Sequence, residues 1–381
     1  MPAGTRAALA LFAVGWGANQ FAAMLPVYVV QDGATDAQVT ALFGAYAAGL
    51  IPTLLVVAPI SDRLGRRRVL RPVLLLSFVA TVVLVVGGDS LWLLLLGRLL
   101  AGVASGAAFA PGTAWVKELS SGPGGTGARR AAVALSAGFG TGPLVAGVVA
   151  EWLPAPTVLP YLPHLVLTVV VAVLVWRTPE VARPATTVAA ETRRVRGTLT
   201  QPAFLRRVVP TAPWVFGCAS LAFTTVPAVA GVPGPEVAVG GALVALTLWT
   251  GVLVQPLGRR RDATATVLLG VMAGVVGFAL ATAAAATGAA VLTVLAALGL
   301  GAAYGLVLVG GLMTVEEVAE PADLATVTAV FYALTYLGFA APYLGTLLLR
   351  VLDPVPAMLL LAGVLAATVP LVLSARPRPR G

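Results

Sequence analysis

Between Ala58 and Arg71 the sequence reads APISDRLGRRRVLR and sets one carboxylate, Asp62, among five guanidinium groups, Arg63, Arg66, Arg67, Arg68 and Arg71. A carboxylate with arginines one or two helical turns away can form charge-assisted hydrogen bonds, and it can also cap the positive N-terminal end of a helix. Arg98 stands alone inside an apolar run, where an arginine costs about 2.5 to 3.5 kcal/mol near a helix centre on translocon scales. Such a group faces an anionic or carboxylate partner, or it snorkels outward or bonds backbone carbonyls. His164 is the only histidine and Cys218 the only cysteine. His164 is therefore open to a proton-linked role or to ordinary packing. A single thiol forms no internal disulfide or thiolate metal cluster, so packing is the expected role of Cys218. Enzyme chemistry would need His, Asp, Glu, Cys or Ser groups converging at one depth, and this sequence does not supply them.

The elements that position these groups are long and apolar. Of 381 residues, 59% are hydrophobic and 10% charged, which is the composition of an integral membrane protein. About 20 apolar residues cross the hydrocarbon core as a helix. Apolar runs separated by charged or Pro/Gly-rich breaks give twelve spans: 7–30, 38–59, 72–88, 91–116, 131–150, 160–176, 208–228, 236–257, 264–284, 289–314, 324–349 and 355–374. The first run is too long for the core of a secretory signal peptide and is expected to be retained. With an even count, both termini lie on one side.

Charge placement tests this threading. On the side of the termini, the connections and tails hold 22 of the 24 basic residues, whereas the other side holds Arg350 and the acidic residues Asp32, Asp36, Asp89, Glu151, Glu236 and Asp353. The positive-inside rule makes the arginine-rich side, and both termini, cytoplasmic. The net charge of +9 thus marks topology and contact with anionic lipid headgroups, not nucleic-acid binding. Lysine occurs once, at Lys117, beside 23 arginines, a bias expected of a GC-rich bacterial genome and hence of a bacterial inner membrane.

The longest connection, 177–207, divides the chain into halves 1–176 and 208–381 and reads as a linker. The halves echo each other. GAAF at Gly106 to Phe109 recurs as GAAY at Gly301 to Tyr304, Pro143 is matched by Pro342, and Trp16 by Trp214. The basic loop itself returns with Gly251, Gln255, Gly258 and Arg259 to Arg261. Agreement in order and offset favours duplication over chance. The fold class expected is all-α, with about twelve transmembrane helices in two pseudo-repeated six-helix bundles.

Three motifs then carry a resemblance over nearly the whole chain. The 58–71 loop looks like GxLxDRxGRRxxL, with Ala58 and Ile60 in place of its first glycine and leucine. Arg98, Gly102 and Gly106 are similar to RxxxGxxxG in a fourth span. Gly138, Gly142, Pro143 and Gly147 look like GxxxGPxxGG in a fifth, with Ala146 in place of one glycine. Together they resemble the major facilitator superfamily of secondary transporters, and the third resembles its drug/proton antiporter-type exporters. The resemblance implies a conformational latch made by Asp62 and Gly65 with Arg66 or Arg67, to which Glu118 is a plausible partner. In the second half Gln255 replaces the aspartate, so Arg259 to Arg261 would need Glu316 or Glu317. It also gives Arg98 a possible proton-linked role.

Transporter sites lie near mid-membrane. The candidates for lining one are Asn19 and Gln20 first, then Arg98, Trp16, Tyr46, Trp214, Thr224, Trp249, Tyr304, Tyr332 and Tyr336, with helix packing or lipid contact an equal alternative for each aromatic. Trp92, Trp115, Trp152 and Trp176 fall at span ends and are expected as interface anchors. Apart from Glu236 at the first position of the eighth span, no Asp or Glu lies within the assigned spans, so proton coupling either uses a boundary carboxylate (Asp32, Glu118 or Glu151) or is absent. The function expected is export of small, largely apolar organic compounds by alternating access, with proton antiport open. The alternative is a facilitator or importer of a small neutral polar solute such as a sugar or amino acid. A monomer with no cofactor and no metal is expected.

Overall fold

The computed structural model describes residues 1–120, 126–180, 197–320 and 324–375, apart from the side chains of Asp32, Ala58, Pro59, Asp62, Ala128 and Ala325. Its described residues form helices and connections without strands. Twelve helices are long and apolar enough to cross a membrane: α1 Ala3–Gln31, α2 Asp36–Val57, α3 Arg66–Val86, α4 Leu91–Leu119, α5 Arg129–Trp152, α6 Leu159–Trp176, α7 Phe204–Ala230, α8 Glu236–Gly258, α9 Ala263–Thr287, α10 Ala290–Val318, α11 Thr326–Leu348 and α12 Pro354–Ser374.

Local chemistry sets several of their ends. Thr35 and Gln38 form a reciprocal capping box at the start of α2, and Asp262 accepts from Ala265 N–H at the start of α9. Both arrangements satisfy backbone donors that a helix leaves free at its N-terminus. Three differences from the sequence reading matter for the site. The α1 segment is interrupted by a 3₁₀ turn over Gln20–Met24. Helix α2 continues as far as Leu64 and α3 begins at Arg66, so the expected loop from Ala58 to Arg71 contracts to a single hinge residue, Gly65. Helix α7 begins at Phe204, with a π-helical turn over Phe204–Val208, rather than at Val208.

The chain divides into two compact units, 1–185 with 234–245, and 186–233 with 246–381. In the first, α1 is the most enclosed helix and packs against α4 and α5, while α2 and α3 both lie along α4. In the second, α9 pairs with α10 and α12, and α7 packs on α10 and α11. Apolar side chains also face outward, as with Leu253, Trp92 and Val173, and in a membrane helix these meet lipid instead of water. Trp92, Trp152 and Trp176 are exposed at helix ends, whereas Trp115 is fully buried. Trp115 is not an interface anchor, because its indole N–H donates to the carbonyl of Pro179 at 3.1 Å.

Candidate functional site

At the α2–α3 junction Gly65 adopts φ +96°, a conformation that L side chains rarely take. Its N–H closes the last turn of α2 onto Ser61 O at 3.0 Å. The first two N–H groups of α3 are then taken by one carboxylate, since Glu180 Oε1 accepts from Arg66 N and Oε2 from Arg67 N, each at 2.9 Å. An anion forked over free N–H groups at the positive end of a helix is a favourable arrangement. The Arg66 side chain turns inward. Its Nη1 donates to Ser61 Oγ at 3.1 Å and its Nε lies 3.5 Å from Glu118 Oε1. Arg71 donates to Trp176 O and stacks its guanidinium 4.6 Å from the Trp176 ring centre. Trp176 to Glu180 is thus a strap fastened to α3 and α4 at three points. The Asp62 side chain lies outside the described residues.

Arg98 is fully buried. Nη1 donates to Ala18 O at 3.0 Å, Nη2 to Phe43 O at 3.3 Å and Nε to Leu42 O at 3.4 Å. The rings of Phe21 and Tyr46 are each 4.8 Å from the guanidinium carbon. Carbonyls keep a second lone pair inside a helix, and aromatic faces attract cations, so this charge is satisfied by its own fold. The glycines that follow it make the reach possible. A Cβ on Gly102 would lie 2.1 Å from Tyr46 O, and one on Gly106 2.5 Å from Leu50 O, so α4 lies backbone to backbone on α2.

The α5 motif works in a similar way. A Cβ on Gly138 would lie 2.2 Å from Phe12 O, and one on Gly142 2.7 Å from Trp16 O, which sets α5 flush on α1. Pro143 has no N–H, and it withholds the i to i−4 bond from the carbonyl of Phe139. Asn19 Nδ2 donates to that carbonyl at 2.9 Å. At the end of α5, Glu151 Oε2 accepts from Val237 N at 2.9 Å and Ala238 N at 3.3 Å, and a Cβ on Gly147 would lie 2.6 Å from Val237 O.

Gln20 turns toward α3 and α6. Its Nε2 is 3.2 Å from Thr81 Oγ1, which is 2.9 Å from His164 Nδ1, while His164 Nε2 is 3.1 Å from Ala13 O. A carbonyl only accepts, so Nε2 carries hydrogen toward Ala13. In the neutral ring Nδ1 then accepts from the Thr81 hydroxyl, whose oxygen takes the Gln20 amide. Among the described residues His164 forms no ion pair. Trp16 is buried with its ring edge-on to Phe12.

In the second unit, Trp214 meets Phe278 edge to face at 5.9 Å, and the Thr224 hydroxyl donates to Ser220 O at 2.7 Å. Trp249 is 40% exposed. Cys218 is buried among the apolar side chains of α7, α9, α10 and α12. Tyr304, Tyr332 and Tyr336 come together around Phe216 and Phe339. Glu317 pairs with buried Arg207, Nη1 to Oε2 at 3.2 Å, and Arg207 also donates to Ala375 O. The sequence instead points Arg259 to Arg261 at Glu316 or Glu317. In the structure, Arg259 and Glu316 are exposed and form no ion pair among the described residues.

Sequence reasoning did not single out Glu180, Ser220, Phe216 or Phe339. The first follows the sixth span directly but gives no local signal of its target 114 residues earlier. Phe216 and Phe339 are ordinary apolar residues until α7 and α11 are brought together.

Comparison with known proteins agrees with this architecture. The sequence profile described as Major Facilitator Superfamily matches residues 7–342. Among curated protein sequences no significant match is found. Among solved structures, a mutant of the nucleoside transporter NupG aligns with TM-score 0.76 and 12% identity, covering 98% of this chain and 99% of its own. A bacterial homologue of the human lysosomal transporter Spinster, inward-facing and unoccupied, aligns with TM-score 0.67 and 15% identity, covering 98% of this chain and 94% of its own. At these identities the likeness is one of fold.

Proposed function

The chain belongs to the Major Facilitator Superfamily, and on that premise we propose that this multi-pass membrane transporter exports small, largely apolar organic compounds by alternating access. The observation that carries the reading is the face of α5 formed by Gly138, Gly142, Pro143 and Gly147. It is seated on α1 and on the start of α8 through contacts that leave no room for a Cβ, a pattern matching the antiporter-like motif. Asp62, Gly65, Arg66, Arg67 and Glu118 act as the conformational latch of this cycle, with Glu180 holding the start of α3. Residues 1–176 and 208–381 are its two bundles and 177–207 their linker. The arginine-rich side and both termini are cytoplasmic, against anionic headgroups of a bacterial inner membrane, and the protein works as a monomer.

Proton antiport would have to use a boundary carboxylate such as Glu151 or Glu118, because a carboxylate at mid-span is missing from the sequence. That same feature favours the second reading, a facilitator or importer of a neutral polar solute, and one structural neighbour is the nucleoside transporter NupG. Proteoliposomes carrying an interior pH dye separate the two. Export by antiport predicts that outward flux of chloramphenicol, an uncharged apolar probe, is matched by internal acidification and driven by an imposed inward proton gradient. Flux of uridine that follows only its own gradient, without any pH change and without chloramphenicol movement, would overturn it.

A further inference from the structure

At mid-span the second unit gathers five aromatic rings from three helices. Phe216 of α7 stacks on Tyr336 with centroids 4.8 Å apart and 12° between planes, and on Phe339 at 4.8 Å and 21°. Tyr336 and Phe339 are themselves within 9° of parallel. Tyr304 of α10 leans on Phe216 at 5.5 Å, and Tyr332 reaches Tyr336 at 6.5 Å. Local structure explains the gathering. Tyr332 and Tyr336 are one helical turn apart on one face, and the 3₁₀ turn over Leu337–Ala340 tightens α11 immediately afterward and brings Phe339 onto the same ring.

A purely structural cluster would be expected to satisfy its phenols, since buried tyrosine hydroxyls usually find a hydrogen-bond partner. Tyr304 is only 5% exposed, yet among the described residues neither its hydroxyl nor that of Tyr332 has such a partner. Neither is among the polar atoms sealed inside the protein without one, as Trp16 Nε1 and Gln20 Oε1 are. Both hydroxyls therefore reach accessible space and remain available to a ligand. The first unit offers no comparable groups from its leading candidates, because Asn19, Arg98 and Gln20 each spend side-chain donors on their own fold.

We propose that Tyr304, Tyr332 and Tyr336, backed by Phe216 and Phe339, form a recognition platform for an uncharged planar aromatic or heteroaromatic ring bearing oxygen or nitrogen at its edge. Tyr332 is partly exposed and the other four rings are buried behind it, so a flat ring can stack on Tyr332 while a phenol donates to, or accepts from, its rim. The five residues carry no formal charge, and an ionised ligand would lose its hydration here without gaining a partner. A cation cage requires ring faces converging on one point, whereas these faces lie against one another. The purpose assigned to the platform rests on the transporter reading, but binding to it does not.

The test is calorimetric titration of the purified full chain with caffeine, coumarin and quinoline as planar probes, and with cyclohexane-1,4-diol and tetraethylammonium as controls. The wild-type chain is expected to bind at least one planar probe and neither control. For that probe, Tyr304→Phe and Tyr332→Phe should each weaken binding about three- to tenfold, the size of one neutral hydrogen bond. Phe216→Leu should weaken it by a similar factor through lost stacking. All three variants are compared only where their melting temperatures stay within a few degrees of wild type, and the Tyr→Phe pair changes too little volume to threaten folding. Binding of a control instead, binding of none of the planar probes, or wild-type affinity in the Tyr304→Phe/Tyr332→Phe double variant overturns the proposal. A chain that binds no planar probe but exchanges another solute in proteoliposomes loses the platform and keeps the transport reading. One that binds caffeine but moves no solute does the reverse.

Discussion

The side-chain amide of Asn19 donates to the carbonyl of Phe139 across 2.9 Å, and Phe139 is the residue whose helical donor is missing because Pro143 follows four positions later. The second unit has a looser counterpart. Pro342 has no N–H to give Gly338, but the Gly338 carbonyl takes the Ala341 N–H, and the Ser220 hydroxyl lies 3.3 Å from both Gly338 O and Gly217 O. In both units a polar side chain from the first helix of the repeat approaches the carbonyl four residues before the proline of the fifth.

Removing the Asn19 amide should destabilise the protein by about 1 to 2 kcal/mol, the scale of an unsatisfied buried acceptor. In a Pro143→Ala background the backbone N–H returns and Asn19→Ala should cost measurably less. Denaturant unfolding of the four proteins in one detergent measures this coupling. Equal costs in the two backgrounds would mean that the amide does not act through the proline-freed carbonyl.

A Cβ on Gly65 would sit 2.6 Å from Glu180 Oε2, in a backbone conformation already unfavourable to other residues. Glu180→Ala should lower stability by about 1 kcal/mol through loss of the helix cap. Gly65→Ala should cost more, of the order of 1 to 3 kcal/mol for backbone strain together with the clash. Part of that cost should disappear when Glu180 is also alanine, and thermal melts of the double variant read this directly.

Arg98→Lys keeps the charge but cannot reach three carbonyls from a single ammonium. The expected result is a clear drop in melting temperature, about 2 to 4 kcal/mol of stability as for other large losses of core packing, with the affinity of any identified ligand unchanged. Weakened binding in a variant of unaltered stability would return Arg98 to the substrate site.

Asp62→Asn should alter the rate of transport more than the affinity for substrate, because a latch biases conformations and a binding residue does not. Initial-rate flux measured beside equilibrium binding distinguishes the two, and unchanged flux would remove Asp62 from the latch.

The helices were legible because twenty-residue apolar runs and arginine asymmetry are local or summed signals, and the glycine-rich motifs were legible through their spacing. What each polar group touches was not. Asn19 and Gln20 were the best polar candidates by position in the first span, but only the fold shows the Asn19 amide directed to α5 and the Gln20 amide to Thr81 in α3. The sequence ends the second span at Pro59, whereas the charged residues after it belong to a helix that continues to Leu64. Charge alone does not end a helix whose backbone bonds remain intact. The sequence offers Glu316 or Glu317 to Arg259 to Arg261, whereas Glu317 pairs with Arg207, from a segment that reads as linker.

The central claim is that this chain moves an uncharged organic solute by alternating access, and counterflow in proteoliposomes tests it most directly. Vesicles preloaded with unlabelled probe should transiently accumulate radiolabelled probe above its external concentration, saturably and only with protein present. Uptake that rises linearly with concentration and never overshoots would contradict alternating access and point to a pore.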